Sequence, residues 1–422
     1  MDKSRNILVA GGYGYTNLGD EAQCETTLEL LTNRYPDYQI INLTPNVNHS
    51  KDMHPKFFHE SASRVAIYNQ SRPFDIYSFG LSVFKLWRIP AFILKSVWVL
   101  LNAYLVKFDL PTFLLNPRTV KYMEMLKEAS LFYFSGGGYL TGKTLSRLWD
   151  AIVICRLCKI FDTPVVMSGQ TIGVWSGKYN EILAKWGFKS VKVITVRDEE
   201  FSLKDLDKIG LKGENCFATH DDALHSKKSD KKQIDSDNYI TLNFHYWGMK
   251  GKQKELYIDK INKIVNHFLD NTSYDIVLIA MTKTDTNSFE DYLKKYPNDR
   301  IKPFTFNLDF SIIRRVIADS KMCITMKHHP IIFAMGEDVP VISLAFSDYY
   351  VHKNVGALAQ YGQEKYSVNL ENNDYFDKFL ELYKDREDHR TDIISLLQNK
   401  KANLDERKER FLQKVDKILK GC

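Results

Sequence analysis

A chain of 422 residues with 44% hydrophobic and 13% aromatic residues is long and apolar enough for about two domains with separate cores. Its net charge of +6 is modest, and suits an anionic small substrate or an anionic membrane surface. Because the lysines and arginines form no long block interleaved with aromatic residues, no nucleic-acid partner is predicted.

The cysteine and histidine positions argue against a metal site. Cys155 and Cys158 form a C-x-x-C pair inside an apolar helical pattern, and no second cysteine pair completes a zinc set. His49, His54 and His59 lie five residues apart, which does not place them on one helix face, so a solvated loop is predicted there. We predict no bound metal, core cysteines in a reducing compartment, and a cytoplasmic location without a signal peptide.

The first predicted element is a buried strand, Ile7 to Ala10, followed by a glycine-rich loop and a helical pattern. Glycines allow the backbone to turn tightly and to approach a ligand, and the helix N-terminus behind them attracts anions. The loop ends in Asn17, Gly19, Asp20 and Glu21, which suit either a helix cap with first-turn acids or a functional site.

Residues 91–106 follow as an unusually apolar segment, Ala91 to Val106, interrupted by Lys95. The segment is shorter than the about 20 residues that a spanning helix needs. A core helix is predicted first, and an interfacial helix in peripheral contact with the inner, anionic face of a membrane is the alternative.

Further strands end in glycine or polar residues. The strand at 129–134 runs into a second glycine loop, Gly136 to Gly138. Arg197 follows a strand at 191–196, and Asp221 and Asp222 follow one at 216–219. Strands that alternate with helical patterns indicate a parallel sheet, and such sheets bind ligands where their strands end.

A charged segment separates two such units. We predict a first Rossmann-like domain at 1–226, a linker at 227–238, and a second Rossmann-like domain with a C-terminal helix at 239–422. In the second unit a strand ending at Thr325 leads into Lys327, His328 and His329, with a helix predicted from Ile331 to Met335. Two such domains predict a site in the cleft between them.

Five motifs in this order resemble the polysaccharide pyruvyl transferase family over about residues 6–360. The motifs are Asn17 to Glu21, Ser135 to Gly138, Gly169 to Gly173, Val196 to Asp198 and Lys327 to His329. The resemblance implies an α/β fold similar to GT-B glycosyltransferases, with two Rossmann-like domains facing across a cleft. It also implies that phosphoenolpyruvate, as co-substrate without a further cofactor, donates a pyruvyl group. Two hydroxyls of a sugar, glycan or lipid-linked precursor of the cell surface would receive it as a cyclic ketal.

The resemblance implies that the second domain holds the phosphoenolpyruvate. The family's Arg-x-His corresponds to Lys327, His328 and His329, so a lysine replaces the family arginine; lysine keeps the charge but loses the bidentate fork. His329 matches the family histidine and would bind phosphate or act as general acid. Arg197 would be a second anion clamp, and Lys353 matches a family lysine after the last strand.

The first domain would hold the acceptor. Asp20 or Glu21 would be the base for a sugar hydroxyl, and Asp221 or Asp222 matches a family aspartate. The loop positions assigned to substrate binding are Asn17, Gly19, Gly136, Gly137 and Gly138. Two alternatives remain: a glycosyltransferase that uses a nucleotide sugar, and a family member that binds glycan without catalysis.

Overall fold

The computed structural model describes residues 4–61, 88–112, 115–246 and 248–421, and within these ranges it describes all side chains except those of 88–92 and 348–349. Its first part contains the strands β1 (Ser4–Ala10), β2 (Gln39–Thr44), β3 (Phe58–Ser61), β4 (Ala129–Phe134), β5 (Gly137–Thr141), β6 (Val165–Gly173), β7 (Val193–Val196) and β8 (Cys216–Ala218). The helices of this part are α1 (Leu18–Arg34), α2 (Val47–Met53), α3 (Arg88–Lys107), α4 (Pro117–Glu128), α5 (Leu145–Ile160), α6 (Lys178–Phe188) and α7 (Lys204–Lys208).

The second part repeats this alternation. Its strands are β9 (Tyr239–Asn243), β10 (Asp275–Leu278), β11 (Ile301–Pro303), β12 (Cys323–Thr325), β13 (Val341–Ala345) and β14 (Ser367–Asn369). Its helices are α8 (Gly251–Asn271), α9 (Lys283–Lys295), α10 (Phe310–Ala318), α11 (His328–Gly336), α12 (Asp348–Ala359), α13 (Tyr375–Asp388) and α14 (Arg390–Lys420).

Each part forms one parallel sheet. The first follows the order β3-β2-β1-β4-β6-β7-β8, with β5 added beside β6, and the second follows β11-β10-β9-β12-β13-β14. In both sheets the chain starts in the middle, runs to one edge and then crosses to the other side, which is the doubly wound Rossmann order. The predicted pair of Rossmann-like α/β domains is therefore confirmed, and the proposed linker at 227–238 lies between the two sheets.

The central strand of the first sheet illustrates why these sequences form parallel strands. Ile7 pairs with Ile40 of β2 on one side and with Leu131 of β4 on the other. All three side chains are buried, because helices cover both faces of the sheet. Continuous apolar runs are the pattern that such doubly covered strands require.

The helix α14 returns to the first domain after the second sheet is complete. Phe411, Leu412 and Val415 are buried in one apolar cluster with Ile7 and Val9 of β1. The charged amphipathic pattern predicted the helix, but it contained no signal for the domain against which the helix packs. The two domains are thus connected both by the linker and by this crossing helix.

The helix α3 contains the unusually apolar segment and is buried along one face only. Val99, Ala103 and Val106 are buried in the core of the first domain, whereas Leu94 and Leu101 are 70% and 58% exposed. The core-helix prediction therefore holds for one face. Among the described residues, no helix combines the length and the apolar character that crossing a membrane requires.

The histidine-containing segment after β2 differs from the predicted solvated loop. His54 and His59 are buried, and His54 lies between the carboxylates of Glu21 and Glu25 at 2.9 Å from each. Burial opposes the charged form of His54, but its hydrogen bonds, including those to Cys24 and to both carboxylates, outweigh burial and raise its pKa to about 11. The prediction failed because the buried acids that attract this histidine lie far from it in the sequence.

Candidate functional site

A polar cavity of about 230 Å³ lies in the cleft between the two domains. It forms where the loop after β1 meets the loop after β12. The predicted site residues that line it are Asn17, Asp20, Gly138, Arg197, Lys327, His328, His329 and Lys353. The structure thus brings together side chains from both halves of the chain, as expected for two facing Rossmann-like domains.

The loop after β1 is held in place by the start of α1. Asn17 caps the helix by accepting a hydrogen bond from the backbone N–H of Gly19 at 3.2 Å. Leu18 donates its N–H to the carbonyl of Met281 in the second domain at 3.1 Å. This contact fixes the first loop against the opposite wall of the cleft, and Asp20 then faces the cavity.

Glu21 points away from the cavity, although it follows Asp20 directly. Its carboxylate is fully buried and accepts hydrogen bonds from the N–H groups of Gly14 at 3.0 Å and Tyr15 at 3.2 Å. The second carboxylate oxygen contacts His54. Glu21 therefore holds the glycine-rich loop in shape, and of the two acids only Asp20 lines the cleft cavity.

Gly19 allows the two domains to approach each other. A Cβ atom at this position would lie 2.0 Å from Cγ of His329, which is far inside van der Waals contact. The requirement is one of space, since the imidazole lies directly over the backbone of α1. Gly19 therefore contributes to the site because it has no side chain that would collide with His329.

The three consecutive glycines have different positions. Gly137 and Gly138 belong to β5 and not to a strand-to-helix turn, and only Gly138 lines the cavity. A Cβ at position 138 would lie 3.0 Å from Nη2 of Arg197. Gly136 instead donates its N–H to Asp222 at 2.8 Å, behind the cavity.

Positive charge dominates the cavity wall. Arg197 is buried, pairs with Asp221 and donates from Nε to Thr171 at 2.7 Å. Lys353 contacts no carboxylate within ion-pair distance among the described residues, and burial beside Arg197 lowers its pKa to about 8. Arg147 of α5 also lines the cavity, with Nη1 3.2 Å from the carbonyl oxygen of Gly12.

The ammonium group of Lys327 is held by polar groups of the second domain. Its ammonium group lies 2.6 Å from Oδ1 of Asp285 and 3.0 Å from Thr282 Oγ1. Burial lowers its pKa, and the contact with Asp285 opposes that effect. The lysine therefore faces the cavity while it is already paired within the second domain.

Both histidines lie in the first turn of α11, which begins at His328 and not at the predicted Ile331. Pro330 is compatible with this early start, because a proline fits the first turn of a helix, where its missing N–H costs nothing. His328 donates from Nε2 to Asp221 at 3.1 Å, and burial lowers its pKa to about 3. Burial also holds the pKa of His329 well below its usual value.

The comparison with protein families agrees with this arrangement. Residues 17–349 match the family described as polysaccharide pyruvyl transferase. The chain belongs to this family. The resemblance inferred from the five motifs is therefore confirmed, and the chain belongs to a family of transferases. No protein with a curated description matches the chain significantly.

Solved structures with a similar fold are only distantly related to this polysaccharide pyruvyl transferase family member. UDP-GlcNAc 2-epimerase from Neisseria meningitidis, solved with UDP-GlcNAc, has a TM-score of 0.56 at 10% identity, covering 97% of this chain and 100% of its own. A glycosyltransferase from Rickettsia africae has a TM-score of 0.53 at 10% identity, covering 98% and 99%. A UDP-GlcNAc 2-epimerase from Methanocaldococcus jannaschii has 0.52 at 11%, covering 90% and 91%. The predicted GT-B-like fold is thereby confirmed.

The structure also separates the two aspartates that the family motif left undecided. Asp221 lies behind the cavity, where it contacts Arg197 and His328. Asp222 points the other way and accepts hydrogen bonds from Lys408 of α14 at 2.5 Å and from Ser168 at 2.7 Å. Asp221 is therefore the one that orients residues of the cavity wall.

Arg147 and Asp285 are residues of the site that sequence reasoning missed. Arg147 belongs to a helix whose remaining pattern is that of a core helix, and Asp285 lies in a capping box at the start of α9. Both roles are common in any globular protein, so neither residue carried a local signal of function. Their place in the site depends on the tertiary structure, which brings Arg147 to the cavity that Arg197 lines and places Asp285 against Lys327.

Proposed function

We propose that this protein transfers a pyruvyl group from phosphoenolpyruvate to two hydroxyls of a sugar, forming a cyclic ketal and releasing phosphate. The observation that carries the proposal is the charge of the cleft cavity. Among the described residues, four cationic side chains line it, those of Arg147, Arg197, Lys327 and Lys353, against one carboxylate, that of Asp20. A small ligand with a carboxylate and a phosphate matches such a wall.

The donor would lie between the second domain and Arg197. Lys353 and Arg197 offer charge to its anionic groups, and His329 lies at the N-terminus of α11, where free N–H groups and the helix dipole favour anions. Lys327 would contribute less than an arginine, because Asp285 already occupies its ammonium group. Arg147 would compensate, since a guanidinium binds carboxylates and phosphates in a bidentate manner.

The reaction needs one acid and one base. One sugar hydroxyl adds to C2 of phosphoenolpyruvate and gives its proton to the base, while C3 takes a proton from the acid and becomes the methyl group. Phosphate then leaves C2 with the electron pair of the broken C–O bond, and the second hydroxyl adds there and gives its proton to the departing phosphate. We assign the proton donor to His329, and the proton acceptor to Asp20, whose pKa burial raises to about 6.

The acceptor would enter from the side of the first domain. A smaller cavity of about 70 Å³ adjoins the cleft cavity and shares Tyr139 and Arg147 with it. Tyr13 and Tyr15 line this second cavity, and Arg147 lies 5.0 Å from the ring centre of Tyr15. Aromatic faces of this kind suit the apolar face of a sugar ring, which supports a glycan or a lipid-linked sugar as acceptor.

A nucleotide sugar is the alternative donor. The distant structural neighbours include an epimerase solved with UDP-GlcNAc, and a shared fold admits either chemistry. The two are distinguished by products, because pyruvyl transfer consumes phosphoenolpyruvate and releases phosphate, whereas glycosyl transfer releases a nucleotide. A protein that binds glycan without turnover would yield neither product.

Calorimetry of phosphoenolpyruvate binding tests the proposal directly. The wild type should bind, and His329→Ala and Lys327→Ala should each weaken binding, with the larger effect at His329. His389→Ala changes an exposed histidine that does not line the cleft cavity and is the matched control. If the wild type binds UDP-GlcNAc but not phosphoenolpyruvate, with or without an acceptor sugar, the pyruvyl-transfer proposal is wrong.

We also propose that α3 lies on the inner face of a membrane, where a lipid-linked acceptor would be presented. Its exposed apolar side chains recur at steps of three and four residues, at Leu94, Val97, Leu101 and Tyr104, and Phe108 directly after the helix continues this series. The described cysteines are all free, which suits a reducing cytoplasm.

Co-sedimentation with anionic vesicles tests this contact. The wild type and Leu256→Glu, which changes an exposed leucine of α8, should bind the vesicles, whereas Leu101→Glu should remain in the supernatant. Wild-type protein that stays in the supernatant would refute the contact. Sedimentation velocity of the same variants would show whether the exposed face instead joins two copies of the chain.

A further inference from the structure

A second group of polar side chains lies outside the cleft, on the other side of the loop that carries Asp221. His220 precedes that aspartate, His225 ends the short helical turn Asp222–His225, and Asp405 projects from α14. These residues line a cavity of about 240 Å³. The reaction proposed above uses none of them.

The three side chains converge on one point. Nε2 of His225 lies 2.7 Å from Oδ1 of Asp405, and Nε2 of His220 lies 3.6 Å from the same oxygen. All three donor atoms lie within 4.8 Å of one another. Donors around a tetrahedral Zn²⁺ stand about 3.3 Å apart, as follows from zinc–nitrogen distances of about 2.0–2.1 Å, so small side-chain rotations would complete the geometry.

His220 is already oriented as a metal ligand. Its Nδ1 lies 2.8 Å from the carbonyl oxygen of Asp221, a contact that requires the proton on Nδ1. Nε2 therefore carries the lone pair, and it points at a carboxylate oxygen, which also has only lone pairs to offer. A ring nitrogen fixed through a hydrogen bond from its partner nitrogen to a backbone carbonyl is the usual support of a metal-bound histidine.

We propose that His220, His225 and Asp405 bind a divalent transition metal, with Zn²⁺ as the best match. Two imidazoles and one carboxylate favour zinc, cobalt or nickel over magnesium or calcium, which prefer oxygen ligands only. Three protein ligands leave a fourth position for water. The proposal is independent of the transfer reaction in the cleft.

The charges around His220, His225 and Asp405 are compatible with a bound metal ion. Lys408 lines the same cavity and would oppose a metal ion, but Asp222 and Ser168 already hold its ammonium group at 2.5 and 2.6 Å. The proton shared by His225 and Asp405 would leave when the metal binds.

A bound metal would join the loop after β8 to α14. The same loop carries Asp221, which contacts Arg197 and His328 in the cleft. We therefore assign the metal a structural role, in which it would link α14 to the first domain. Its position explains why sequence analysis found no metal set: His225 and Asp405 are separated by 180 residues.

Titration of the chelator-treated full chain with Zn²⁺ tests the proposal. The wild type should bind one equivalent with micromolar or tighter affinity, and Asp405→Asn and His225→Ala should each weaken binding about tenfold or more, as losses at metal sites typically do. His389→Ala removes another exposed histidine and should bind as the wild type does. Co²⁺ in place of Zn²⁺ should give the visible absorption bands of a tetrahedral site in the wild type and in His389→Ala, but not in Asp405→Asn or His225→Ala.

Thermal unfolding provides a second measurement, since a ligand that binds only the folded chain raises its melting temperature. Zn²⁺ should raise it for the wild type and for His389→Ala, but not for Asp405→Asn. Metal-free melting curves of the variants show whether each still folds. Equal Zn²⁺ affinity in the wild type, His225→Ala and Asp405→Asn would overturn the proposal, as would weak binding without the cobalt bands in a folded wild type.

Discussion

Nε2 of His329 lies 3.9 Å from Oδ1 of Asp20, and the two side chains come from opposite domains. Burial pushes their pKa values in opposite directions: it raises that of Asp20 to about 6 and lowers that of His329. At neutral pH the cleft therefore holds a carboxylate beside a neutral imidazole. The pair therefore lacks the proton that His329 needs in order to act as an acid. The negative charge of a bound donor would favour protonation of this imidazole.

Phosphoenolpyruvate binding should therefore be accompanied by proton uptake at pH 7. A phosphate or carboxylate beside His329 favours the imidazolium and raises its pKa, so the complex takes a proton from the buffer. Calorimetry in two buffers with different ionisation enthalpies measures this uptake. His329→Gln should abolish the buffer dependence, and a wild type whose binding enthalpy is identical in both buffers would contradict the assignment of His329 as the acid.

Gly19→Ala should displace the ring of His329. The added Cβ has no room, and forced overpacking of this kind costs about 1–3 kcal/mol of folding free energy. Donor binding should be lost together with this stability. In a double variant, Gly19→Ala with His329→Gly, the contact is relieved and stability should return while donor binding does not; urea unfolding and calorimetry measure the two separately.

Arg147→Gln should weaken phosphoenolpyruvate binding, although Arg147 lies outside the five family motifs. A hydrogen bond to a charged group contributes about 1.5–3 kcal/mol, so affinity should fall about tenfold or more. Arg156→Gln is a matched control, because Arg156 belongs to the same helix but lies over the ring of Trp186, outside the cavity. Equal affinities of the two variants would remove Arg147 from the donor site.

The free energy of unfolding should fall as the pH falls from 6.5 towards 4. Burial lowers the pKa values of His220 and His245 to about 4 and that of His328 to about 3, so the unfolded chain binds more protons than the folded chain in this range. Asp20 acts in the opposite direction, since its raised pKa favours the folded state there, but among the described residues it is outnumbered by histidines with a lowered pKa, which include His329. Urea titrations at several pH values measure the slope, and an unchanged free energy would contradict these shifts.

Lys408→Met should destabilise the first domain by about 3–5 kcal/mol, because it leaves the buried carboxylate of Asp222 without its cation. Adding Asp222→Asn should restore much of that loss, since the remaining amide is uncharged. Urea unfolding of the single and double variants measures the coupling. If both have the same free energy of unfolding, the pair does not connect α14 to the first domain.

Local patterns predicted the parts of this protein that depend on local physics. The apolar run at Ile7, the glycines after it and the cap at Asn17 are neighbours in sequence, and each acts on its own neighbours. His329 and Arg197 were found because they follow strands, and parallel strands end at one edge of a sheet. The motifs together identified the family.

What could not be predicted depends on contacts between distant residues. Asp20 and Glu21 are adjacent acids, and only the positions of His54 and of the cleft decide which one faces the cavity. Arg147 and Asp285 acquire their place from packing, and α14 packs on a surface whose first strand, β1, lies about 400 positions earlier in the chain. Such relationships have no local sequence signal.

The return of α14 also has a consequence for how the protein is made. Phe411, Leu412 and Val415 close a cluster that includes Ile7 and Val9, so this part of the first domain stays open while the ribosome synthesises the entire second domain. The second sheet can fold in the meantime. The nascent first domain would thus expose an apolar surface until synthesis is nearly complete, and a chaperone or the second domain itself must shield it.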